Sequence, residues 1–327
     1  MGGGRIAGAG RLVTVLSLVT MFGLTMVLSG MPAGAQATQA SLGSQPGAAV
    51  AAGICQSARH PVIAARMSSR VLAALAGRSS VVGLAVDDEV NGISCRLHPH
   101  WQFDSASVVK VTILSALLRK LQQEHRRLTA AQRRLATAMI TLSDNNAAST
   151  LWAETGYPSL QHFLDLAGMH ETVLGADGYW GLTLITAHDE LTLLKLLTSA
   201  NSVLTAGSRN YVLGLMARVV SYERWGVPAG APTDVTVHVK NGWLPLPTKG
   251  WRINSIGSFS GLGKDYMIVV LTDRNPTMTY GVDTVQAVAE VINHALNPGA
   301  ASVIPAATPN ASWGKPDERI PARPAGS

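Results

Sequence analysis

The order of secondary-structure patterns along the chain is the feature that most restricts its fold. A long run of helical patterns, from about Asp104 to Val220, separates a first pair of short β-branched strands from a later group of three. Strands that follow one another through short turns pair antiparallel, whereas parallel strands need a long crossover. The sequence therefore predicts an α+β fold, with an antiparallel sheet flanked by helices and an additional all-helical region.

Hydrophobic periodicity and turn signals define the individual elements. Asn91-Gly92, between two β-branched runs, predicts a hairpin, and the segment from Thr186 to Asp189 resembles a capping box that opens a helix. The predicted helices span 58–76, 104–124, 130–142, 146–155, 159–166, 191–197, 208–220 and 282–296, and the predicted strands span 81–86, 93–97, 235–239, 253–259 and 267–272.

The two ends of the chain differ in composition from the body between them. Arg5 and Arg11 precede an apolar run from Leu12 to about Leu28, and Ala33-Gly34-Ala35 follows. This layout predicts a secretory signal peptide over 1–35, although the run is long enough to serve as an uncleaved membrane anchor. Residues 297–327 are rich in Pro, Ala and Gly and predict a flexible tail. The folded domain is expected over 51–296, in a protein that is secreted or held in the cell envelope.

Charge and histidine spacing exclude two classes of function. The formal net charge is +6, but the leader carries two of these charges and the tail about one, and no basic stripe with interleaved aromatics is present. We therefore expect no nucleic-acid partner. Four histidines lack the spacing of metal ligands, so neither a metal nor another cofactor is expected; they are His98, His100, His188 and His238.

Cys55 and Cys95 are the two cysteines of the chain. An even number of cysteines in an exported protein favours a disulfide, and two cysteines allow a single pairing. Two buried free thiols are the alternative.

Ser107-Val108-Val109-Lys110 is the first pattern that suggests catalysis. Residues three apart on a helix share a face, so the Ser107 hydroxyl and the Lys110 amine can meet. Serine becomes a good nucleophile when a base takes its proton, and a lysine can be that base when burial and cationic neighbours lower its pKa. Such a pair alone is a weak signal, because it recurs by chance in chains of this length.

Two further patterns follow in the chain. Ser143, Asp144 and Asn145 come directly after a predicted helix, and Lys240-Asn241-Gly242 lies at the end of a predicted strand. Each has a structural explanation of its own: Ser, Asp and Asn cap helices, and Asn-Gly forms turns. Their order and setting behind the Ser-x-x-Lys pair indicate a shared site.

Together the patterns resemble those of class A β-lactamases and the related penicillin-binding D,D-peptidases. The resemblance covers about 51–296 and implies a β-lactamase-like serine hydrolase that acts on a β-lactam or a peptidoglycan-type amide or ester. It also implies these roles: Ser107 is acylated, Lys110 helps to activate it, Ser143 relays a proton to the leaving group, Asn145 orients Lys110 and the substrate amide, and Lys240 supplies positive charge. By the same resemblance, the N–H groups of Ser107 and Trp243 form the oxyanion hole.

The third motif departs from the family at its middle position. Members usually carry Thr or Ser there, whose hydroxyl helps to hold a substrate carboxylate, whereas this chain has Asn241. Asn241, Gly242 and Trp243 remain the candidate substrate-binding and oxyanion residues. Lys249 or Arg252 is the candidate to replace the missing carboxylate contact.

A second departure lies in the segment 170–180. Class A β-lactamases carry there a Glu-x-x-Leu-Asn loop whose Glu activates the deacylating water, and this chain lacks that pattern. Glu171 and Asp177 are the carboxylates of the segment, and either fits a loop surface equally well. We therefore predict an acyl-enzyme with slow β-lactam turnover; the alternative is a non-catalytic envelope protein that binds cell-wall fragments or a partner. Trp225, Trp243 and Trp251 are expected either to line the cleft or to pack in the core.

Overall fold

Strands from both ends of the chain form one antiparallel sheet. The structure, a computed structural model, describes residues 53–246, 250–261 and 263–307, so the predicted signal peptide and Lys249 lie outside the described residues. The strands are β1 (Cys55–Gln56), β2 (Val81–Asp88), β3 (Ile93–Leu97), β4 (Phe103–Asp104), β5 (Leu184–Ile185), β6 (Thr236–Leu246), β7 (Gly250–Gly261) and β8 (Lys264–Asn275). The main sheet has the order β1-β3-β2-β8-β7-β6, while β4 and β5 pair separately.

The helices are distributed between the sheet and a helical group. They are α1 (Pro61–Leu75), α2 (Lys110–Gln123), α3 (Ala130–Thr141), α4 (Asn145–Thr155), α5 (Tyr157–Ala167), α6 (Ala187–Thr198), α7 (Ala206–Met216) and α8 (Met278–Leu296). The predicted α+β class, with an antiparallel sheet and a helical region, is confirmed.

Helices cover both faces of the main sheet. Tyr266 of β8 donates a hydrogen bond to Asn293 of α8, and its neighbour Met267 contacts Thr198 of α6. Successive side chains of a strand point to opposite faces, so α8 and α6 lie on opposite sides. Among the described residues, no helix is both long and apolar enough to cross a membrane.

Helix α2 is the centre of the helical group and packs against α4, α5 and α7. Its side chains are buried almost all round from Lys110 to Leu118. A helix that is apolar on every side belongs in a protein interior, yet Lys110 is fully buried at its first turn. Burial of an ammonium group requires polar partners, which marks this end of α2 as a site.

The start of the second predicted helix is wrong. The sequence pattern places it at Asp104, whereas α2 begins at Lys110 and a single 3₁₀ turn, Ala106–Val109, precedes it. Pairing of Phe103 and Asp104 with β5 takes the preceding residues out of the helix. Ala106 has a φ of 47°, a left-handed conformation that interrupts helical geometry.

The third motif lies inside a strand. Strand β6 continues through Asn241 and Gly242 to Leu246, so these two residues form no turn. Pro245 lacks a backbone N–H and is tolerated because β6 is at the edge of the sheet. The three C-terminal strands are all longer than the sequence pattern predicts.

The first part of the predicted tail is hydrogen-bonded to the body. Ile304 and Ala231 pair through their backbones, with Ile304 N to Ala231 O at 2.7 Å, and Ala307 N donates to Gln286 at 2.8 Å. Residues 308–327 lie outside the described residues.

Cys55 and Cys95 form the predicted disulfide. They face each other directly in the β1–β3 pair, with their Cα atoms 3.9 Å apart. The bond closes a loop across 40 residues of sequence and fixes the segment before α1 to the hairpin.

Replacing both cysteines by serine should lower the free energy of unfolding by about 2–4 kcal/mol, because the cross-link restricts the unfolded chain. Urea unfolding of the oxidised protein and of Cys55→Ser/Cys95→Ser measures the difference. Adding a reductant is the control, since it should lower the midpoint of the wild type and leave the variant unchanged. Equal midpoints under oxidising conditions would contradict the prediction.

Candidate active site

Ser107 lies on the 3₁₀ turn that leads into α2. Two side chains of strand β7 form hydrogen bonds to the residues just before this turn. Arg252 Nε donates to Asp104 Oδ2 at 3.0 Å, and the Asn254 amide donates to the carbonyl of Asp104 at 2.9 Å and to that of Ser105 at 3.2 Å. Ser107 itself is 3% exposed. These bonds fix the backbone on which the predicted nucleophile is carried.

The Lys110 amine is surrounded by oxygen atoms. Lys110 Nζ lies 2.7 Å from Ser107 Oγ, 2.5 Å from the Ser143 carbonyl and 2.7 Å from Asn145 Oδ1. A neutral amine keeps two N–H donors, which suffice for the carbonyl and the amide oxygen. Its lone pair can then face Ser107 Oγ and accept the hydroxyl proton, so the geometry suits proton transfer from serine to lysine.

Ser143 lies between two lysines. Its Oγ is 3.2 Å from Lys110 Nζ and 2.9 Å from Lys240 Nζ. Its φ of 54° is unusual for a residue other than glycine, and Asp144 caps α4 directly after it. The strained backbone turns the Ser143 carbonyl and hydroxyl toward the same amine.

Lys240 enters the cluster from the middle of β6. Its side chain is fully buried, and besides Ser143 it donates to the Asn241 carbonyl at 2.9 Å. The structure thus brings together the five residues predicted to be catalytic, which are Ser107, Lys110, Ser143, Asn145 and Lys240.

Gly242 allows β6 to pass close to the nucleophile. A Cβ atom at this position would lie 2.8 Å from both the Ser105 carbonyl and the Ser107 amide nitrogen, closer than real Cβ contacts. Glycine is required here for this approach of two backbones. The next residue, Trp243, is thereby brought beside Ser107, where the two backbone N–H groups are predicted to hold an oxyanion.

The three tryptophans that were expected to line the cleft or the core have different environments. Trp225 is 1% exposed and packs edge-on against Trp243, with their ring centroids 5.9 Å apart. Trp251 is half-buried on β7. Trp225 is therefore a core residue behind the site.

The Asn241 side chain is hydrogen-bonded to the backbone at Glu223 and Trp225. Its amide nitrogen donates to the Glu223 carbonyl at 2.7 Å and to the Trp225 carbonyl at 2.9 Å, and the side chain is fully buried. Arg252 is 2% exposed and engaged with Asp104, so it is a support of the nucleophile turn, and the suggestion that it replaces the missing hydroxyl is not supported.

The segment 170–180 places an aromatic ring beside the lysine. Trp180 is 3% exposed, Lys110 Nζ lies 4.9 Å from its ring centroid, and its indole N–H donates to Ser149 Oγ at 3.1 Å. The position of Trp180 was not predicted, because a loop tryptophan carries no sequence signal for such a contact.

The two carboxylates of this segment do not join the cluster. Glu171 Oε2 accepts a hydrogen bond from Thr186 Oγ1 at 3.0 Å, and Glu171 Oε1 lies 2.7 Å from His100 Nδ1. Asp177 is exposed. Among the described residues, neither carboxylate is hydrogen-bonded to Ser107, Lys110 or Ser143.

A third carboxylate, which the sequence did not reveal, does reach the cluster. Glu223 lies on a short 3₁₀ turn (Ser221–Glu223) and is 6% exposed. Its Oε2 is 3.9 Å from Lys240 Nζ. No motif connects residues 17 positions apart, so only the folded chain shows this pair.

Comparisons with known proteins identify the family and the fold of the chain. The sequence profile of the beta-lactamase enzyme family matches residues 127–296, a range that includes Ser143 and Lys240 and begins after Ser107 and Lys110. No curated protein sequence matches the chain.

Solved structures of similar fold cover most of the described chain. A class A beta-lactamase from Bacteroides cellulosilyticus DSM 14838 superimposes with a TM-score of 0.63 at 17% identity, over 72% of this chain and 98% of that one. A beta lactamase from Xanthomonas campestris pv. campestris gives 0.60 at 20% identity, over 71% and 97%. A mutant of PBP-A, described as an acyl-enzyme complex with penicillin G, gives 0.63 at 18% identity, over 72% and 97%.

Proposed function

The chain belongs to the beta-lactamase enzyme family, and on that basis we propose that it is a serine hydrolase that forms an acyl-enzyme at Ser107. The observation that carries the proposal is the position of Lys110 Nζ, 2.7 Å from Ser107 Oγ and within reach of Ser143. A non-catalytic binding protein is not favoured, because it has no need to bury two lysines around two serine hydroxyls.

The chemistry follows from the cluster. Lys110 takes the proton of Ser107 while Ser107 Oγ bonds to the carbonyl carbon of the substrate. The negative charge on the carbonyl oxygen is stabilised by the N–H groups of Ser107 and Trp243, each worth about 3 kcal/mol in enzymes of this type. In an amide substrate the carbon–nitrogen bond then breaks, and the leaving nitrogen takes a proton from Ser143 Oγ. Ser143 in turn recovers a proton from Lys110, which passes on the one it took from Ser107.

The substrate class is a β-lactam or a peptidoglycan-type amide or ester. The similarity to a PBP-A mutant described in complex with penicillin G supports a β-lactam as the first probe. Cysteine pairing and the leader pattern at 1–35 support action outside the cytoplasm, where disulfides persist.

We expect a stoichiometric burst with a chromogenic cephalosporin, followed by little turnover. Acylation has its nucleophile, base and proton relay, whereas deacylation needs a base for water, and Glu171 and Asp177 do not reach the cluster. Lack of a general base typically costs about 10²–10⁴ in rate. Stopped-flow absorbance gives the burst amplitude, and intact-mass analysis shows whether the adduct accumulates.

Glu171→Gln and Asp177→Asn are the control variants and should leave both phases unchanged. Fast steady-state hydrolysis without a burst or a trapped adduct would contradict slow turnover. The absence of any adduct with a fluorescent penicillin and with a fluorophosphonate would overturn the proposed function itself.

A further inference from the structure

We propose that Glu223 is a positioning residue that keeps Lys240 charged, so that Lys110 is the lysine that acts as the base; the proposal rests on the proposed function. Two amines approach one hydroxyl, since Lys110 and Lys240 lie 3.2 and 2.9 Å from Ser143 Oγ. Base catalysis needs one neutral amine, and the electrostatic role predicted for Lys240 needs the other to stay an ammonium.

The contacts of Glu223 decide between the two lysines. Its Oε2 lies 3.9 Å from Lys240 Nζ and has no hydrogen-bond partner among the described residues. A buried carboxylate oxygen without a hydrogen bond is costly, so the ion pair with Lys240 is the contact that accounts for its place. An opposite charge at such a distance favours the charged form of its partner.

Asn241 explains how Glu223 is held there. The Asn241 amide donates to the carbonyls of Glu223 and Trp225, which fixes the 3₁₀ turn against β6. Lys240, the preceding residue on the same strand, meets the carboxylate of that turn. The asparagine that departs from the usual third motif therefore positions a charge partner for the lysine instead of contacting substrate.

Other charged groups near Lys240 act differently. Lys110 faces it across Ser143, and its repulsion disfavours two ammonium groups at once. Arg224 donates to the carbonyls of Ala217 and Val237. Burial lowers the pKa of His238 on the same strand, which disfavours a positive charge on its ring. Within the described part of the chain, Glu223 is thus a negative group in contact with Lys240.

Glu223→Gln, which keeps the shape and removes the charge, tests the proposal. The second-order rate constant for labelling of Ser107 by a fluorescent penicillin is measured from pH 5 to pH 10, with Glu223→Asp as the conservative variant. Exposed Glu154→Gln is the matched control for loss of one negative charge. We expect Glu223→Gln to move the basic limb of the profile about one unit to lower pH, and to slow labelling about tenfold on that limb.

The other two variants should label Ser107 at rates close to that of the wild type. Glu223→Asp should stay within about threefold of the wild type, and Glu154→Gln should superimpose on it. In a double-mutant cycle, Asn241→Ala and Glu223→Gln should be less than additive, because both act on one ion pair. A Glu223→Gln profile that matches the wild type in rate and in basic limb would overturn the proposal.

A second measurement does not require a stable variant or catalysis. Nuclear magnetic resonance of the lysine side-chain nitrogens in the wild type should show that Lys240 keeps its proton to a higher pH than Lys110. Loss of the Lys240 proton before that of Lys110 would overturn the assignment. If the wild type is never acylated, the proposed function fails, whereas this titration still tests the Glu223–Lys240 pair.

Discussion

Ser107→Ala should abolish covalent labelling by a fluorescent penicillin while the protein remains folded. The bond to substrate forms at Ser107 Oγ, which lies 2.7 Å from Lys110 Nζ in the wild type, so removing this oxygen removes the nucleophile. The site keeps its other hydrogen bonds when this oxygen is removed, so the midpoint temperature of thermal unfolding should change little. Intact-mass analysis after exposure to the probe provides the measurement.

Ser105→Ala is the matched control for this change. Ser105 is two residues away and fully buried, and its hydroxyl is directed at the carbonyls of Ala106 and Trp180. The Ser105 variant should still form the adduct. An adduct in Ser107→Ala, mapped by peptide mass spectrometry to Ser105 or Ser143, would contradict the assignment of the nucleophile.

Glu190→Gln should remove a large part of the pH dependence of stability. Glu190 is fully buried on α6, and neither carboxylate oxygen has a hydrogen-bond partner among the described residues. Burial, with the charge of the adjacent Asp189, raises the pKa of Glu190 to about 8. Its protonated form is therefore the one that the folded protein accommodates.

The sign of the effect follows from proton counting. Between the ordinary glutamate pKa of 4.5 and about 8, the folded protein holds a proton that the unfolded chain has lost. The free energy of unfolding is thus highest below pH 4.5 with respect to this group, and it falls by about 1.4 kcal/mol per pH unit across the window. The complete loss is on the order of 5 kcal/mol.

Urea unfolding at half-unit pH steps from 5 to 8.5 measures this slope. Glu190→Gln should have a slope shallower by about one proton, and Glu154→Gln should retain the wild-type slope. Equal slopes for the wild type and Glu190→Gln would show that Glu190 is ionised in the folded protein.

The spacing of hydrophobic residues predicted most helices and strands, because buried side chains recur at regular intervals along them. The 93–97 strand agrees with the structure, and the helix predicted over 130–142 ends one residue earlier, at Thr141. The short strands β1, β4 and β5 each have two residues, too few to show alternation. They form because of their partners, as in the pairing of Cys55 with Cys95.

The third motif shows where local reasoning fails. Asn-Gly is a turn signal in isolation, but Asn241 and Gly242 are paired with Ser255 and Asn254 of β7 in the middle of a strand. Gly242 is needed there for close approach to Ser107, a requirement set by a segment far away in sequence.

The sequence by itself determined the α+β class, the single possible disulfide and the candidate catalytic residues, because these depend on residue type, order and local period. The tertiary structure decided which groups surround the two lysines. Trp180, Glu223 and the orientation of Asn241 became visible only there, since each depends on a contact between segments that no local pattern connects. Buried charged side chains are stabilised by the groups around them. Those groups become neighbours only when the sheet and the helical group pack together.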